Sequence, residues 1–214
     1  MKLTERLLKA KHWQLFLITF GLPMVCYIIM MTVIFSILSN ERVPDPRVIL
    51  NFFSFFPIMI TIFAGTLFAW LWALAVGLQK NIPPGIEMKT GRFKLFFFIP
   101  VVYLFLVMIG IEVLVNSIAT TMDRTAEAEL AWMPGVVAFV VPLHLLSMFG
   151  IFHCLYFVAK TIKTVELQRE TTFSDFAGEF FMIWFYPIGV WIIQPRINKM
   201  IIDPDQTARE SNRN

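Results

Sequence analysis

Four long apolar runs constrain this chain more than any other feature of its sequence. They cover about 13–38, 49–78, 93–118 and 131–158, and each exceeds the roughly 20 residues that a helix needs to cross a bilayer. Helices satisfy all of their backbone polar groups internally, which lipid requires. The sequence therefore predicts an all-α integral membrane protein built as a four-helix bundle.

The composition agrees with this prediction. Hydrophobic residues make up 57% of the 214 residues and the mean hydropathy is +0.70, whereas soluble domains contain roughly 45–50% apolar residues. The connecting segments near 39–48, 79–92 and 120–130 are too short to fold separately. We therefore predict one membrane domain over residues 1–214.

Positive charges predict which side of the membrane each segment occupies. With four spans and both termini in the cytoplasm, fifteen of the 18 Lys and Arg residues lie inside, and only Arg42, Arg47 and Arg124 lie outside. A fifth span would change the distribution to eleven inside and seven outside. The charges thus favour a cytoplasmic N-terminus and a cytoplasmic C-terminus.

The fourth run is expected to continue as a cytoplasmic helix extension over 159–170, where Lys163 can pair with Glu166 three residues later. Thr172 and Asp175 then have the spacing of a capping box, which predicts a new helix near Phe173.

The aromatic stretch "FFMIWFYPIGVWIIQPRINK" (180–199) allows three interpretations. Asp175 and Glu179 form a narrow polar stripe beside a broad aromatic face, and Pro187 and Gly189 interrupt the apolar run. We favour an interfacial helix over about 173–194, bent at Pro187–Gly189, with aromatic side chains that include Trp184 and Trp191 near the headgroups. A re-entrant hairpin and a true fifth span are the alternatives. Residues 195–214 are predicted to form a polar tail.

The segment "WFYPIG…QPRIN" also resembles the C-terminal segment of small, uncharacterised bacterial polytopic membrane proteins. The resemblance covers about 30 residues. It implies a bacterial inner membrane as the location and implies no activity.

Three polar residues lie within the predicted spans and form a candidate intramembrane site. Glu112 and Asn116 are one turn apart in the third run, and His144 lies near the middle of the fourth. Ionisable groups at membrane depth are candidates for proton or cation pathways. The alternative is a structural role, in which these side chains make interhelical hydrogen bonds or reach the outer interface.

A ridge of small residues runs along the second span. Gly65, Ala69, Ala73 and Gly77 recur every four residues, a pattern that lets two helix backbones approach closely. The ridge is expected either to pack inside the monomer or to contact a second copy or another membrane subunit.

No catalytic motif is present in the sequence, and no spacing of ligand residues indicates a metal site. We therefore predict no enzymatic activity, cofactor or nucleic-acid partner, and the lipid bilayer as the main partner. The favoured function is that of an accessory, assembly or immunity-type component acting through partner or lipid contacts. The alternative is a small transporter or channel that uses Glu112 and His144.

Overall fold

The computed structural model describes residues 3–40, 55–121 and 133–202. Within these ranges the regular structure is helical, with no strand. A π-helical turn over Leu17–Gly21 joins the helices His12–Phe16 and Leu22–Asn40, and a 3-10 turn over Gln79–Asn81 follows the helix Phe56–Gly77. The α-helices in chain order are α1 (Leu3–Lys9), α2 (His12–Phe16), α3 (Leu22–Asn40), α4 (Phe56–Gly77), α5 (Thr90–Thr121), α6 (Met133–Leu167), α7 (Phe173–Trp184) and α8 (Tyr186–Ile202).

Four helical stretches in the described part of the chain are long and apolar enough to cross a membrane. They are His12–Asn40, Phe56–Asn81, Thr90–Ile118 and Gly135–Leu167. This result confirms the predicted all-α four-helix bundle and makes the chain a multi-pass membrane protein. The fifth-span alternative is not found, because the C-terminal stretch forms two helices of 12 and 17 residues.

Successive spans run in opposite directions. Two contacts for each neighbouring pair establish this order: Leu8 with Gly77 and Phe20 with Phe63, Phe68 with Phe97 and Trp72 with Phe93, and Phe93 with Phe157 and Phe96 with Phe149. The first and third spans therefore begin at the same end of the bundle at which the second and fourth spans finish. We call this the α1 end, because α1 packs there against α4.

Two internal prolines are accommodated by local features of the helices. Pro23 follows the π-helical turn. Because a proline has no N–H, it cannot donate a helical hydrogen bond to the carbonyl four residues earlier, which here is that of Thr19. Pro100 likewise frees the carbonyl of Phe96. Gly150 of α6 lies directly over that oxygen, since a Cβ on Gly150 would be 2.8 Å from it. The α5 and α6 backbones consequently approach each other closely at this point.

The end of α6 depends on a glutamine in an unusual conformation. Gln168 has a φ of 51°, in the left-handed region that commonly stops a helix. Its side-chain nitrogen donates to the carbonyl of Val165 at 2.6 Å and to that of Asn81 at 3.3 Å. These bonds stabilise the strained residue and connect the end of α6 to the loop after α4. The predicted continuation of the fourth span beyond the apolar run is confirmed as far as Leu167.

The packed core lies at the α1 end of the bundle. The buried side chains there come from seven helices and include Leu8, Leu15, Trp70, Phe93, Val158, Ile183 and Val190. Towards the opposite end, most large apolar side chains of the spans are exposed. The C-terminal helices therefore pack into the core and do not form an appendage.

The helix break in the aromatic stretch lies earlier than the sequence predicts. α7 ends at Trp184, Phe185 has non-helical dihedrals, and α8 starts at Tyr186. The prediction of a bend at Pro187–Gly189 was wrong, because Pro187 occupies the first turn of α8, where its missing N–H is not needed. Residues 195–202, predicted to belong to the polar tail, are part of α8, and the rest of the predicted tail lies outside the described residues.

Candidate functional site

Four charged side chains meet where α6, α7 and α8 come together at the α1 end. We call them the charge cluster: Lys163, Glu166, Glu179 and Arg196. The Nζ atom of Lys163 lies 2.9 Å from Oε2 of Glu166 and 3.4 Å from Oε1 of Glu179. An Nη2–Oε2 distance of 2.6 Å joins Arg196 to Glu166, and an Nη2–Oε1 distance of 2.8 Å joins it to Glu179. Each cation contacts both carboxylates. Because the cluster contains two cations and two carboxylates, it is neutral overall.

Burial makes this cluster important for stability. The side chain of Glu179 is only 6% exposed, and the other three side chains are between 20% and 28% exposed. Burial acts to lower the pKa of Arg196, but its hydrogen bonds with Glu166 and Glu179 outweigh that effect and hold the pKa above its usual value. A charge inside such a group is costly to leave unpaired. The cluster therefore joins the three helices strongly and leaves no member free for acid–base chemistry.

The start of α7 is stabilised by the predicted capping box, which is confirmed. The backbone N–H of Thr172 donates to Oδ2 of Asp175 at 2.8 Å, and Thr172 has extended dihedrals. Arg169 donates to Oδ1 of Asp175 at 2.8 Å. These bonds from Arg169 and from Thr172 hold the pKa of Asp175 well below its usual range.

A second junction is centred on Gln194, which is fully buried in α8. Its Oε1 accepts a hydrogen bond from Nε1 of Trp70 at 2.7 Å. Its Nε2 lies 3.1 Å from the carbonyl of Leu8 and 2.8 Å from that of Ala10. The last carbonyls of a helix have no partner within the helix. Gln194 thus caps the C-terminal end of α1 and connects it to α4.

The turn between α7 and α8 is packed among the spans. The hydroxyl of Tyr186 lies 3.1 Å from that of Thr19, and the Tyr186 ring makes an edge contact with Trp70. Trp184 contacts Phe152 in α6, with the ring centroids 4.8 Å apart. The turn therefore touches the first, second and fourth spans at once.

The interfacial residues singled out in the sequence are divided between these features. Glu179 belongs to the charge cluster, and Trp184 lies at the turn. Trp191 contacts His12, with ring centroids 4.6 Å apart. Gly189 lies so close to α7 that a Cβ there would collide with the carbonyl oxygen of Met182. The close packing of the two helices explains the glycine.

The structure does not bring the candidate intramembrane residues together. Nδ1 of His144 lies 2.9 Å from the hydroxyl of Tyr103, on an exposed face of α5 and α6. Glu112 is nine residues beyond Tyr103 on the same helix, which corresponds to about 13.5 Å along the axis. Asn116 lies one further turn away. A Glu112–His144 proton pair therefore has no support in the geometry.

The small-residue ridge is used at one end only. Ala73 is buried, and Gly77 lies under α1, where an added Cβ would come within 2.5 Å of Cδ1 of Leu8. Gly65 is exposed, with nothing within 4 Å of the position of a Cβ, and Ala69 lies between these extremes. One half of the ridge thus positions α1, and the other half faces outwards.

Sequence reasoning missed the network around Gln194 and the joint role of Glu179 and Arg196. A signal was present, because "WIIQPRIN" places one amide inside an apolar run, where it needs partners. The Lys163–Glu166 pair was predicted and is confirmed. The contacts to Glu179 and Arg196 bring together three helices. The spacing of residues along the sequence does not indicate which helices will come into contact.

The described ranges contain no candidate metal centre. No three His, Cys, Asp or Glu side chains lie close enough there to hold a metal ion. A cavity of about 330 Å³ between α3 and α4 is lined by apolar side chains and by Cys26. It offers no paired acid and base. No protein-family model, curated protein or solved structure matches this chain.

Proposed function

We propose that this membrane protein is a non-enzymatic component that acts by binding other membrane-embedded chains and lipid with the apolar surfaces of its spans. An accessory or assembly role is of this kind. The observation that carries the proposal is how little the spans cover one another. Each span contains an apolar stretch of 18 residues. The share of its residues that are buried is 33% for the second span, 11% for the first and fourth, and only 6% for the third.

Low coverage of this kind leaves long apolar faces outward. Phe35 on α3, Phe105 on α5 and Phe139 on α6 are 73%, 63% and 69% exposed. Lipid tails are as apolar as these side chains, so helices in a membrane associate through packing and hydrogen bonds and not through the hydrophobic effect. A chain with a well-packed α1 end and open spans suits a role in which a second membrane protein completes the packing.

The polar groups support a non-enzymatic role as well. The charge cluster and the Gln194 junction pair their members with one another. Transport or catalysis requires groups that change partners during a cycle. The transporter alternative would require Glu112 beside His144, and His144 bonds to Tyr103 instead.

We further propose that the protein resides in a bacterial inner membrane with the α1 end in the cytoplasm. The charge distribution supports this orientation, since exposed basic residues are concentrated at the α1 end. Among the residues that the structure describes, they are Arg6, Lys9, Lys11, Lys80, Lys89, Arg92, Lys94, Arg169 and Lys199.

Photo-crosslinking in intact membranes tests the proposal. A photoreactive phenylalanine replaces Phe35, Phe105 or Phe139 in turn, and Phe93, which is fully buried, serves as the matched control. We expect at least one exposed position to give a protein adduct of defined mass, either a second copy or another chain, and the Phe93 position to give none. Adducts with lipid alone at all three exposed positions would contradict the proposed partner role.

A flux measurement tests the alternative. The protein is reconstituted in vesicles, and proton and cation fluxes are compared for the parent and for Glu112→Gln. We expect no flux above that of empty vesicles in either case. A flux in the parent that Glu112→Gln abolishes at normal folded yield would replace the proposed function with transport.

A further inference from the structure

The helices α7 and α8, joined at Phe185, form a hairpin whose surface has an unusual distribution of polarity. Its inward face carries polar groups, including the hydroxyl of Tyr186 and the amide of Gln194, and both are buried. Its outward face near the turn is apolar and exposed. The residues of this outer face are Phe181, Trp184, Phe185, Ile188, Trp191 and Ile192.

A helix lying on a membrane surface has the opposite arrangement, with its polar side towards water and its apolar side towards the lipid. Ile188 is 66% exposed and Phe185 is 61% exposed. A contiguous apolar face of this kind is unfavourable in water. The distribution of polarity indicates that the surroundings of the turn are apolar.

The depth of the turn can be read from three spans independently. Its neighbour Thr19 lies eight residues past Lys11, the last charged residue before the first span. Its neighbour Phe152 lies eight residues before Lys160 in α6. Both separations correspond to about 12 Å along a helix axis.

The second span gives a similar depth. Trp70, which contacts Tyr186, lies ten residues before Lys80, or about 15 Å along the axis. The hydrocarbon core is about 30 Å thick. All three spans therefore place the turn roughly one third to one half of the way across it.

The course of α8 agrees with this depth. Arg196 contacts Glu166, which lies beyond Lys160, and Gln194 contacts Ala10, which lies before Lys11. Tyr186 is ten residues before Arg196, which corresponds to about 15 Å of helix. α8 thus extends along the bundle from the charged boundary to the depth of the turn.

We propose that α7 and α8 form a re-entrant hairpin that enters one leaflet from the α1 end, and that phospholipid acyl chains contact its outer face. The hairpin is a half-membrane element, because α7 has 12 residues and α8 has 17. Several backbone groups at the turn are hydrogen-bonded within the protein, since the N–H of Phe185 donates to the carbonyl of Phe181 and the N–H groups of Ile188 and Gly189 donate to the carbonyl of Phe185. The proposal specifies the lipid contacts of the proposed function and rests only on the chain being embedded in a membrane.

Nitroxide accessibility in lipid vesicles tests the hairpin. The full chain, with Cys26→Ala and Cys154→Ala, receives one cysteine at a time for labelling, and collisions with oxygen and with a water-soluble nickel complex are compared. Ile188 is the test position. Phe105 on α5 is the lipid-exposed reference, and Lys199, near the end of α8, is the aqueous reference. Phe185 is a second test position in case the Ile188 variant does not fold.

We expect the label at Ile188 to behave like the label at Phe105, with oxygen collisions exceeding nickel collisions and a depth near 12 Å. Preferential nickel collisions at both test positions would overturn the proposal in favour of a surface location. Low collision rates with both reagents would also overturn it, since a protein and not lipid would then cover the face. The crosslinking experiment depends on positions in other helices, so either result leaves the proposed function to be judged separately.

Discussion

Replacing Gln194 with Leu removes the side chain that hydrogen-bonds to the end of α1 in the core. Two buried groups then lack a hydrogen bond, namely Nε1 of Trp70 and the carbonyl of Leu8. The carbonyl of Ala10 keeps its bond from Nδ2 of Asn198 at 3.2 Å. Leu fills nearly the same volume as Gln, so the substitution leaves no large cavity.

The expected cost follows from these two groups. A buried polar group without a partner costs about 1–3 kcal/mol. Only the Leu8 carbonyl belongs to α1, so we expect the docking of α1 to be weakened by about 2 kcal/mol, whereas the cost at Trp70 falls on the contact between α4 and α8. The spans themselves keep their contacts, so the loss should be local and not global.

Hydrogen exchange in lipid nanodiscs measures this loss. A weakening of about 2 kcal/mol increases the exchange rate of the α1 amides by about 30-fold if they exchange through undocking of the helix. The amides of α6 near Val158 should be unaffected. Asn198→Leu is the matched control, because Gln194 still bonds to the carbonyl of Ala10 in that variant.

Two results would refute the reasoning. An exchange rate of α1 in Gln194→Leu within about threefold of the parent would mean that the hydrogen bonds do not hold the helix. An equal acceleration in Asn198→Leu would mean that general packing on α8, and not the glutamine junction, is responsible.

Three further predictions concern the hairpin and its charges. Gly189→Ala should separate α7 from α8 and lower the free energy of unfolding by about 1–3 kcal/mol or more in a melting assay. Gly65→Ala should be neutral in the same assay, because no atom lies within 4 Å of the position of its added Cβ. Arg196→Ala should cost about 3 kcal/mol, the low end for a broken buried pair, because Lys163 still reaches Glu179. Adding Glu179→Gln should recover part of that loss in denaturant titrations. Asp175, whose pKa is depressed, should stabilise the start of α7 fully above its unfolded pKa of about 3.9, and this stabilisation should be lost as the pH falls through the folded pKa. Hydrogen exchange at the start of α7 should therefore become faster in acid, and this change should be absent from Asp175→Asn.

Much of the architecture follows from local sequence. Runs of apolar residues determine the four spans, because the lipid requirement acts on each segment separately. The cap at Thr172 and the Lys163–Glu166 pair are also local, since their partners lie three residues apart. These features need no knowledge of the tertiary fold.

The position of the helix break illustrates what sequence reasoning could not supply. Pro187 and Gly189 indicate a break, but proline at the first turn of a helix and glycine at a close contact have the same local signature as a bend. The location at Phe185 depends on α8 packing against α1 and α2. Gln194 and Arg196 acquire their roles in the same way, from partners that are 186 and 30 residues away.

The glutamine junction also affects the order in which the protein can assemble. The carbonyl of Leu8 and its partner Gln194 are 186 residues apart, so almost all of the described chain is synthesised between them. During synthesis α1 therefore remains undocked while the four spans enter the membrane. Its basic residues Arg6 and Lys9 are then exposed to anionic headgroups, which retain such segments on their own side. The packing of α1 against α8 consequently follows the insertion of all four spans.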